Sequence, residues 1–515
     1  MSKVAKAALG LMIATLIAKV LGFARELTLA SVYGASGTSD AFLVAMNIPA
    51  VIFLAIGASL DTAFIPLYHD IIENNGKEES NKFTNNVLNA VTIICLGFSV
   101  LGIIFTPQIV KLFAVGFKGE VFNQAVYFTR VMLMGLAFLG ISYIMTAYLQ
   151  VKDNFVIPGL MSVPNNIIVI ISIVLSATIN IHLLPWGALL GLFLQFLFQL
   201  PYARKEGFKY KFFVDFKDKH LKRLLWLVVP VLIGVAVNQV STIVDRTIAS
   251  TLAEGSISAL NYATKLNQFV MGMFIVSISS VIYPVLSKLS TKNNKEEFNK
   301  SIKTSVNVVT LLVIPISAGA MILANPIVKI LFQRGEFDAR ATQMTALALV
   351  FYSIGMIGFG LRDIIGKVFY SLQDTKTPMK NGILTILLNI VLNLLFVKFT
   401  NMGVAGLAFA TSISAIVTII LLFISLRKKI GPFGGKSIIM VIIKSIFSAG
   451  VMSIVTLFVF NNLSSMLGTG SINELISLSV SVGCGAITYG LCIMILKVEE
   501  TEMIFDIIRR KLKLK

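Results

Sequence analysis

The sequence predicts an all-α, polytopic membrane protein with fourteen transmembrane helices. Hydrophobic residues make up 56% of the chain and charged residues only 13%, whereas soluble domains carry about 25% charged residues. The apolar segments are each at least 20 residues long, enough to cross a hydrocarbon core of about 30 Å. These two observations exclude an ordinary soluble enzyme.

Fourteen hydrophobic segments follow one another along the chain. They cover residues 5–32, 40–68, 84–113, 121–150, 155–178, 184–203, 222–252, 257–288, 302–324, 339–369, 379–399, 403–426, 437–461 and 473–496. Lys3 and Lys6 precede the first segment as in a signal peptide, but the apolar pattern continues past Lys19 to about Val32 without a cleavage site. We therefore expect a retained first helix, and the even number of segments places both termini on one side.

Basic residues are distributed very unevenly between the connecting loops. The N-terminus, the C-terminus and every second connection hold 30 Lys and Arg, and the opposite connections hold six. Because basic loops stay inside, this bias predicts that both termini are cytoplasmic. It also accounts for most of the net charge of +19 without a nucleic-acid partner, which would need a polar, basic surface.

The first and second halves of the chain resemble each other. Three pairs of motifs match at offsets of 218 to 220 residues: 63–67 with 281–285, 107–113 with 326–332, and 152–158 with 373–378. Each repeat holds six segments, so the halves share one orientation and form parallel repeats, an arrangement that transporters use to build a central midplane site. We expect an alternating-access transporter.

The repeat sets the predicted domains. They are an N-lobe (1–203), a basic cytoplasmic linker (204–221), a C-lobe (222–430), two further helices (431–497) and a basic cytoplasmic tail (498–515).

Four basic residues lie deep within the predicted spans: Lys19, Arg25, Lys265 and Arg362. Arg362 can pair with the adjacent Asp363, which leaves Lys19, Arg25 and Lys265 as candidates for a site. Each costs about 3 kcal/mol at the bilayer centre if it faces lipid, so they are expected to line a wet cavity or to be paired. A cationic cavity attracts an anion, and phosphate is the anion that Lys and Arg bind best. The predicted substrate is therefore an anionic amphiphile.

The first two spans also carry acidic residues close to these cations: Glu26, Asp40 and Asp61. We include them in the candidate substrate site. The alternative is that the cations only neutralise these acids.

A second polar group lies in later segments. Asp245 is in segment 7, Asn389 and Asn393 share one face of segment 11, and Thr411 is in segment 12. Carboxylate, amide and hydroxyl oxygens suit a hard cation such as sodium, so the group is a possible cation site. Interhelical hydrogen bonding, with Asp245 paired to Arg246 or to another cation, explains the same residues.

Several motifs occur in an order that is typical of one family. They are LGFARE (21–26), SDAF (39–42), AFIP (63–66), GSIS (255–258), NYA (261–263), LFQRGEF (331–337) and FYSLQDTKTP (369–378). With them the chain resembles the MurJ (MviN) lipid II flippases of the multidrug/oligosaccharidyl-lipid/polysaccharide exporter superfamily. The likeness covers about residues 3 to 430.

The resemblance implies two six-helix lobes in a V shape, and a groove for the lipid tail beside helices 13 and 14. Its basic cavity residues correspond to Lys19, Arg25 and Lys265, and its nearby acid to Asp40. Lys19 and Lys265 stand where Arg is frequent, which loses the bidentate fork.

Two further departures concern the second span and the cation site. Phe53 and Ala58 stand where many members have a basic residue and a Glu. Asn393 replaces an acid of the implied cation site, which predicts a weaker sodium site or none.

The implied function is a monomeric flippase, not an enzyme, for undecaprenyl-pyrophosphate-linked peptidoglycan precursor. It needs no bound cofactor, since the chain has no P-loop, and membrane potential or a coupling ion such as sodium supplies the drive. The alternatives are a flippase for another polyprenyl-linked oligosaccharide and a drug/cation antiporter. A membrane glycosyltransferase would need a catalytic acid and a sizeable outer loop.

Overall fold

The computed structural model describes residues 3–291, 294–468 and 470–500, and these residues form helices and no strands. The helices are α1 (Lys3–Tyr33), α2 (Gly37–Ile104), α3 (Thr106–Phe113), α4 (Gly119–Leu133), α5 (Leu136–Val151), α6 (Val156–Leu160), α7 (Ser162–Thr178), α8 (Leu183–Lys205), α9 (Lys219–Ala249), α10 (Ser256–Thr291), α11 (Lys295–Ile322), α12 (Ala324–Phe332), α13 (Ala339–Ser371), α14 (Lys376–Phe399), α15 (Val404–Ile430), α16 (Gly435–Leu467) and α17 (Ser471–Ile495).

The predicted all-α class is confirmed. Every predicted hydrophobic segment overlaps one helix or two successive helices. Within the described residues, nine helices are long and apolar enough to cross a membrane, or ten if α4 and α5, which meet at a 45° bend, form one span. The chain is therefore multi-pass, and the count of fourteen spans stays a prediction.

Helix α2 contains two predicted segments and the polar stretch between them. Gly76 interrupts its helical backbone at φ 82° and ψ −177°. This region of backbone space is open almost only to glycine, so the single residue separates two helices without a longer loop.

The backbone repeats its irregular turns as the sequence repeat predicts. Phe105 (φ −93°, ψ 15°) precedes α3, and Leu323 (φ −103°, ψ 14°) precedes α12. Asp153 and Gln373 both have positive φ, at 59° and 58°. Because positive φ is uncommon for residues other than glycine, its recurrence 220 residues apart supports a common origin of the two halves.

The chain divides into two compact units. The first consists of residues 1–258 with 334–337, and the second of 259–333 with 338–515. Helix α9 packs on α2 and belongs to the first unit, whereas the predicted lobes follow the repeat and place it in the C-lobe. The predicted lobe boundaries stay predictions, and the tail beyond residue 500 lies outside the described residues.

In the first unit, α2 packs against α4, α5 and α9, and α1 packs against α7. In the second unit, α11 places one apolar face against α13, as its helical spacing dictates: Ile302, Val306, Val309 and Val313. Helices α13 and α15 approach closely, since a methyl group at Gly358 would lie 2.6 Å from the carbonyl carbon of Ala415. Small residues at such contacts are typical of helices packed in membranes.

Asp374, in the turn between α13 and α14, is held by charge-assisted hydrogen bonds. Lys429 donates to its Oδ2 at 2.5 Å, and the Thr377 backbone N–H donates to its Oδ1 at 3.0 Å. These donors lower the pKa of the Asp374 carboxyl to about 2. A carboxyl whose pKa falls on folding stabilises the folded state above its unfolded pKa of about 3.9, and this contribution disappears as the pH falls through the folded value.

We therefore expect Asp374→Asn to lower the thermal unfolding temperature of the detergent-solubilised protein at pH 6. The difference from the unsubstituted protein should shrink as the pH falls from about 4 towards 2, because the carboxyl of the unfolded chain is protonated in this range while that of the folded protein is still largely ionised. Unfolding curves at pH 6 and pH 3 measure this difference. If the two proteins differed in unfolding temperature by the same amount at pH 6 and pH 3, the Asp374 carboxylate would not be the source of the stabilisation.

Candidate functional site

Arg25 is held in a defined position by two partners in the first compact unit. Its Nη2 donates to Oε1 of Glu26 at 2.7 Å, and its Nη1 donates to Oδ1 of Asn166 on α7 at 3.2 Å. The Arg25 side chain is 18% exposed and that of Glu26 only 2%. The guanidinium is thus fixed by a buried acid and keeps one side open.

The packing of α1 on α7 determines this geometry. Tyr33 donates from its hydroxyl to Oγ of Ser176 at 2.8 Å, which ties the same two helices further along α1. A guanidinium carries five N–H donors, of which Glu26 and Asn166 accept two. The other N–H groups can serve a phosphate oxygen, which Arg binds through its planar fork.

Lys19 lies six residues before Arg25 on α1 and does not join this arrangement. Its side chain is exposed, and so are those of its neighbours Leu16 and Val20. In the described residues, the ion pair of Glu26 is with Arg25. The structure therefore brings Glu26 together with Arg25 and leaves Lys19 on the surface of the helix.

Asp40 is a buried carboxylate, 3% exposed, in the first turn of α2. It accepts hydrogen bonds from the Gly255 backbone N–H at 2.9 Å and the Ser258 backbone N–H at 2.7 Å. The Ser258 hydroxyl donates to it as well, at 2.5 Å. Asp40 thus binds the beginning of α10, and these donors are neutral groups rather than the predicted cations.

Of the remaining predicted substrate residues, one belongs to the second compact unit and the side chain of the other lies outside the described residues. Lys265 is half-buried on α10, in the second compact unit. The side chains of Asp61 and Ala58 lie outside the described residues. Phe53 is buried and its ring centroid lies 5.0 Å from that of Tyr143. An aromatic pair therefore occupies the position at which the resemblance implies a basic residue.

Three of the four residues of the possible cation site form a chain of hydrogen bonds in the second unit. Asn393 donates to Oδ1 of Asn389 at 3.2 Å, and Asn389 donates to Oγ1 of Thr411 at 3.4 Å. This chain joins α14 to α15, as the interhelical alternative predicts. Asp245 is half-buried on α9, in the first unit. The described residues contain no cluster of three His, Cys, Asp or Glu that could hold a metal.

Sequence reasoning missed Asn166 as a partner of Arg25. A signal was available, because Asn165 and Asn166 interrupt an otherwise apolar segment. Buried amides in a membrane helix need partners, and an arginine in a neighbouring span is a suitable one.

Comparisons with known proteins agree with one another. The family model described as lipid II flippase MurJ matches residues 29–478. A probable lipid II flippase MurJ of Vibrio cholerae is 30% identical over 509 residues, with 94% of each chain covered. The lipid II flippase MurJ of Burkholderia cenocepacia is 30% identical over 425 residues, with 81% of this chain and 82% of the relative covered.

Solved structures show the same relationship. A lipid II flippase MurJ in an inward closed conformation superposes with a TM-score of 0.78 and 27% identity, covering 94% of this chain and 99% of the other. An inward-facing multidrug resistance MATE transporter superposes with a TM-score of 0.70 and 14% identity, covering 83% and 98%, which shows the common fold. The resemblance seen in the sequence is confirmed, and the chain belongs to the lipid II flippase MurJ family.

Proposed function

We propose that the protein is a lipid II flippase, which moves undecaprenyl-pyrophosphate-linked peptidoglycan precursor from the inner to the outer leaflet of the cytoplasmic membrane by alternating access. The observation that carries this proposal is the family match over residues 29–478. The family is one of transporters and not a class of enzymes. The full-length superposition on a MurJ structure supports the same function.

The role that we propose for Arg25 follows from its chemistry. A pyrophosphate presents several oxygens, and charge-assisted hydrogen bonds to a planar guanidinium are both strong and directional. Glu26 fixes the guanidinium at 2.7 Å and offsets part of its charge, so the headgroup can be released as well as bound. Lys19 and Lys265 are proposed as further, less directional cations, and Asp40 as an acid that positions the start of α10.

Conditional depletion of the protein tests the proposal directly. Lipid-linked precursor should accumulate in the inner leaflet, measured by its accessibility to an externally added hydrolase in spheroplasts. Re-expression of the protein should restore outer-leaflet precursor. An unchanged distribution would overturn the proposal, and accumulation of a different polyprenyl-linked oligosaccharide would support the alternative cargo.

We also propose fourteen spans with both termini in the cytoplasm and a monomeric transporter. The loop asymmetry of 30 basic residues against six supports this orientation. Reporter fusions at residues 205 and 515 should both report the cytoplasm. An outside location of either position would contradict the topology.

The drive that we propose is membrane potential, with sodium playing at most a minor part. Outward movement of negative charge gains about 2.3 kcal/mol per charge per 100 mV when the inside is negative. Asn389 on α14 donates to Oγ1 of Thr411 on α15 at 3.4 Å, which favours the interhelical interpretation of this group.

We therefore expect replacement of sodium by potassium to change the transport rate in proteoliposomes by less than about twofold, since Asn393 puts a neutral amide where the implied cation site has an acid, and a site with less negative charge binds a cation more weakly. Collapse of the membrane potential should slow transport in the same vesicles. A strict requirement for sodium would contradict this expectation.

A further inference from the structure

The connection between α8 and α9 is attached to α2 through its backbone. We call residues 206–218 the linker strap. Four asparagines on α2 bind it: Asn81, Asn85, Asn86 and Asn89. Their spacing places them along about 12 Å of helix, at a rise of 1.5 Å per residue.

The bonds are reciprocal at two of these asparagines. Asn85 donates to the Lys209 carbonyl at 2.8 Å and accepts from the Lys211 N–H at 2.9 Å. Asn86 donates to the Asp215 carbonyl at 3.0 Å and accepts from the Asp215 N–H at 2.8 Å. Because backbone atoms of the strap make these contacts, its backbone is fixed on α2 and most of its side chains remain exposed.

The outward side chains are basic and aromatic. Eight Lys and Arg lie between residues 204 and 223, against three acids, and all eight are exposed: Arg204, Lys205, Lys209, Lys211, Lys217, Lys219, Lys222 and Arg223. Phe212 is 78% exposed and Trp226, in the second turn of α9, is 81% exposed. Tyr210 and Phe216 are exposed as well.

Two of the three acids of the strap accept hydrogen bonds from nearby backbone N–H groups. Asp218 accepts from the Leu221 N–H at 2.8 Å and caps α9, and Asp215 accepts from the Lys217 N–H at 2.8 Å. Among the described residues, Arg223 alone of the eight cations has an acidic partner, Asp70. The positive charge of this surface is therefore largely uncompensated by the protein.

The strap lies beside a change in the surface of α2. The asparagines occupy residues 81–89, and large apolar side chains are exposed directly afterwards, at Ile93, Leu96 and Phe98. An exposed apolar helix surface of this kind faces acyl chains in a membrane protein, so its polar edge marks the level of the headgroups. Exposed Trp, Tyr and Phe beside Lys are typical of that level.

We propose that the linker strap and its flanking turns bind anionic phospholipid headgroups of the surrounding bilayer. Three features together support this: the strap backbone is fixed by asparagines, its exposed face is basic and aromatic, and it lies at the edge of an apolar helix surface. Lysines and arginines contact the lipid phosphates, and Phe212 and Trp226 lie among the headgroups. In this way the strap concentrates anionic lipid around the start of α9. This inference does not depend on the transported substrate.

The two tryptophans of the chain provide the test, since Trp226 reports on this surface when Trp186 is replaced by Phe. The full-length Trp186→Phe protein is placed in nanodiscs of fixed phosphatidylglycerol and phosphatidylcholine content, with bromine on the acyl chains of one lipid or the other. Brominated phosphatidylglycerol should quench Trp226 at least about twofold more than an equal fraction of brominated phosphatidylcholine, because basic residues near the surface concentrate anionic lipid. Salt at about 0.5 M should abolish the preference, since it shortens the screening length.

The charge variant is Lys209→Gln, Lys211→Gln and Lys217→Gln, in which the preference should fall close to one. The matched control removes the same charge from exposed positions in the second unit: Lys295→Gln, Lys300→Gln and Lys428→Gln. Equal quenching by both brominated lipids, or an equal loss in the control variant, overturns the proposal. In that case an acidic protein partner becomes the candidate for this surface. The salt series uses no lysine variant, so it decides the question even where a variant fails to fold.

Discussion

Arg25→Ala is expected to abolish support of growth when the native flippase is depleted, and to slow precursor translocation by at least about tenfold. A single hydrogen bond to a charged group contributes about 1.5–3 kcal/mol, and 1.4 kcal/mol corresponds to a factor of ten. Since the guanidinium has N–H groups beyond those bound by Glu26 and Asn166, its loss would remove the directional contacts that we propose it makes to the pyrophosphate. Outer-leaflet precursor is measured in depleted cells that express the variant.

Three variants separate binding from folding. Arg25→Lys keeps the charge but loses the fork, so we expect partial activity. Arg25→Ala leaves the buried Glu26 without its cation, which is destabilising, so the double variant with Glu26→Gln should restore membrane abundance without restoring translocation. Arg130→Ala removes an exposed cation of α4 and should be neutral. Normal translocation by the double variant would contradict a substrate role for Arg25.

The helices of this protein follow from local sequence, and this explains the success of the sequence analysis. Runs of about 20 apolar residues need an intrahelical partner for every backbone N–H and C=O in lipid, and only a helix supplies them within one segment. The internal repeat could also be recognised from the sequence, because its motifs contain prolines, which restrict the backbone locally. The structure repeats the local backbone as well, with positive φ at Asp153 and Gln373.

The partners of the polar residues depend on contacts between distant segments, and the sequence does not specify these. Lys19 and Glu26 are seven residues apart, a spacing that puts two residues on one face of a helix, yet Glu26 bonds to the adjacent Arg25. Arg25 also reaches Asn166, 141 residues away, and Asp40 reaches Ser258, 218 residues away. Such pairings are set by helix packing, which hydrophobic periodicity does not encode at the level of single side chains.

Asp40→Ala is expected to destabilise the start of α10. The effect should be larger than that of removing any other capping side chain on its own helix in the described residues. The carboxylate accepts two backbone N–H bonds and one hydroxyl bond from residues 255–258 while almost fully buried. Each hydrogen bond to a charged group is worth about 1.5–3 kcal/mol, and buried donors left without an acceptor add a further cost. We therefore expect the rate of amide exchange at Gly255 and Ser258 to rise by at least about 100-fold, because a factor of 100 corresponds to a loss of about 2.8 kcal/mol.

Asp338→Ala is the matched control, because the same substitution there removes an exposed cap. Asp338 accepts from the Ala341 N–H at 2.7 Å at the start of α13. An N-cap of this kind contributes about 1 kcal/mol, so exchange at Ala341 should rise only about fivefold. Hydrogen–deuterium exchange of both variants in one detergent gives the comparison. The larger effect at Asp40 must come from burial, since both carboxylates cap a helix. Equal effects at the two sites would show that burial of Asp40 adds nothing, and its inclusion in the functional site would then lose its physical basis.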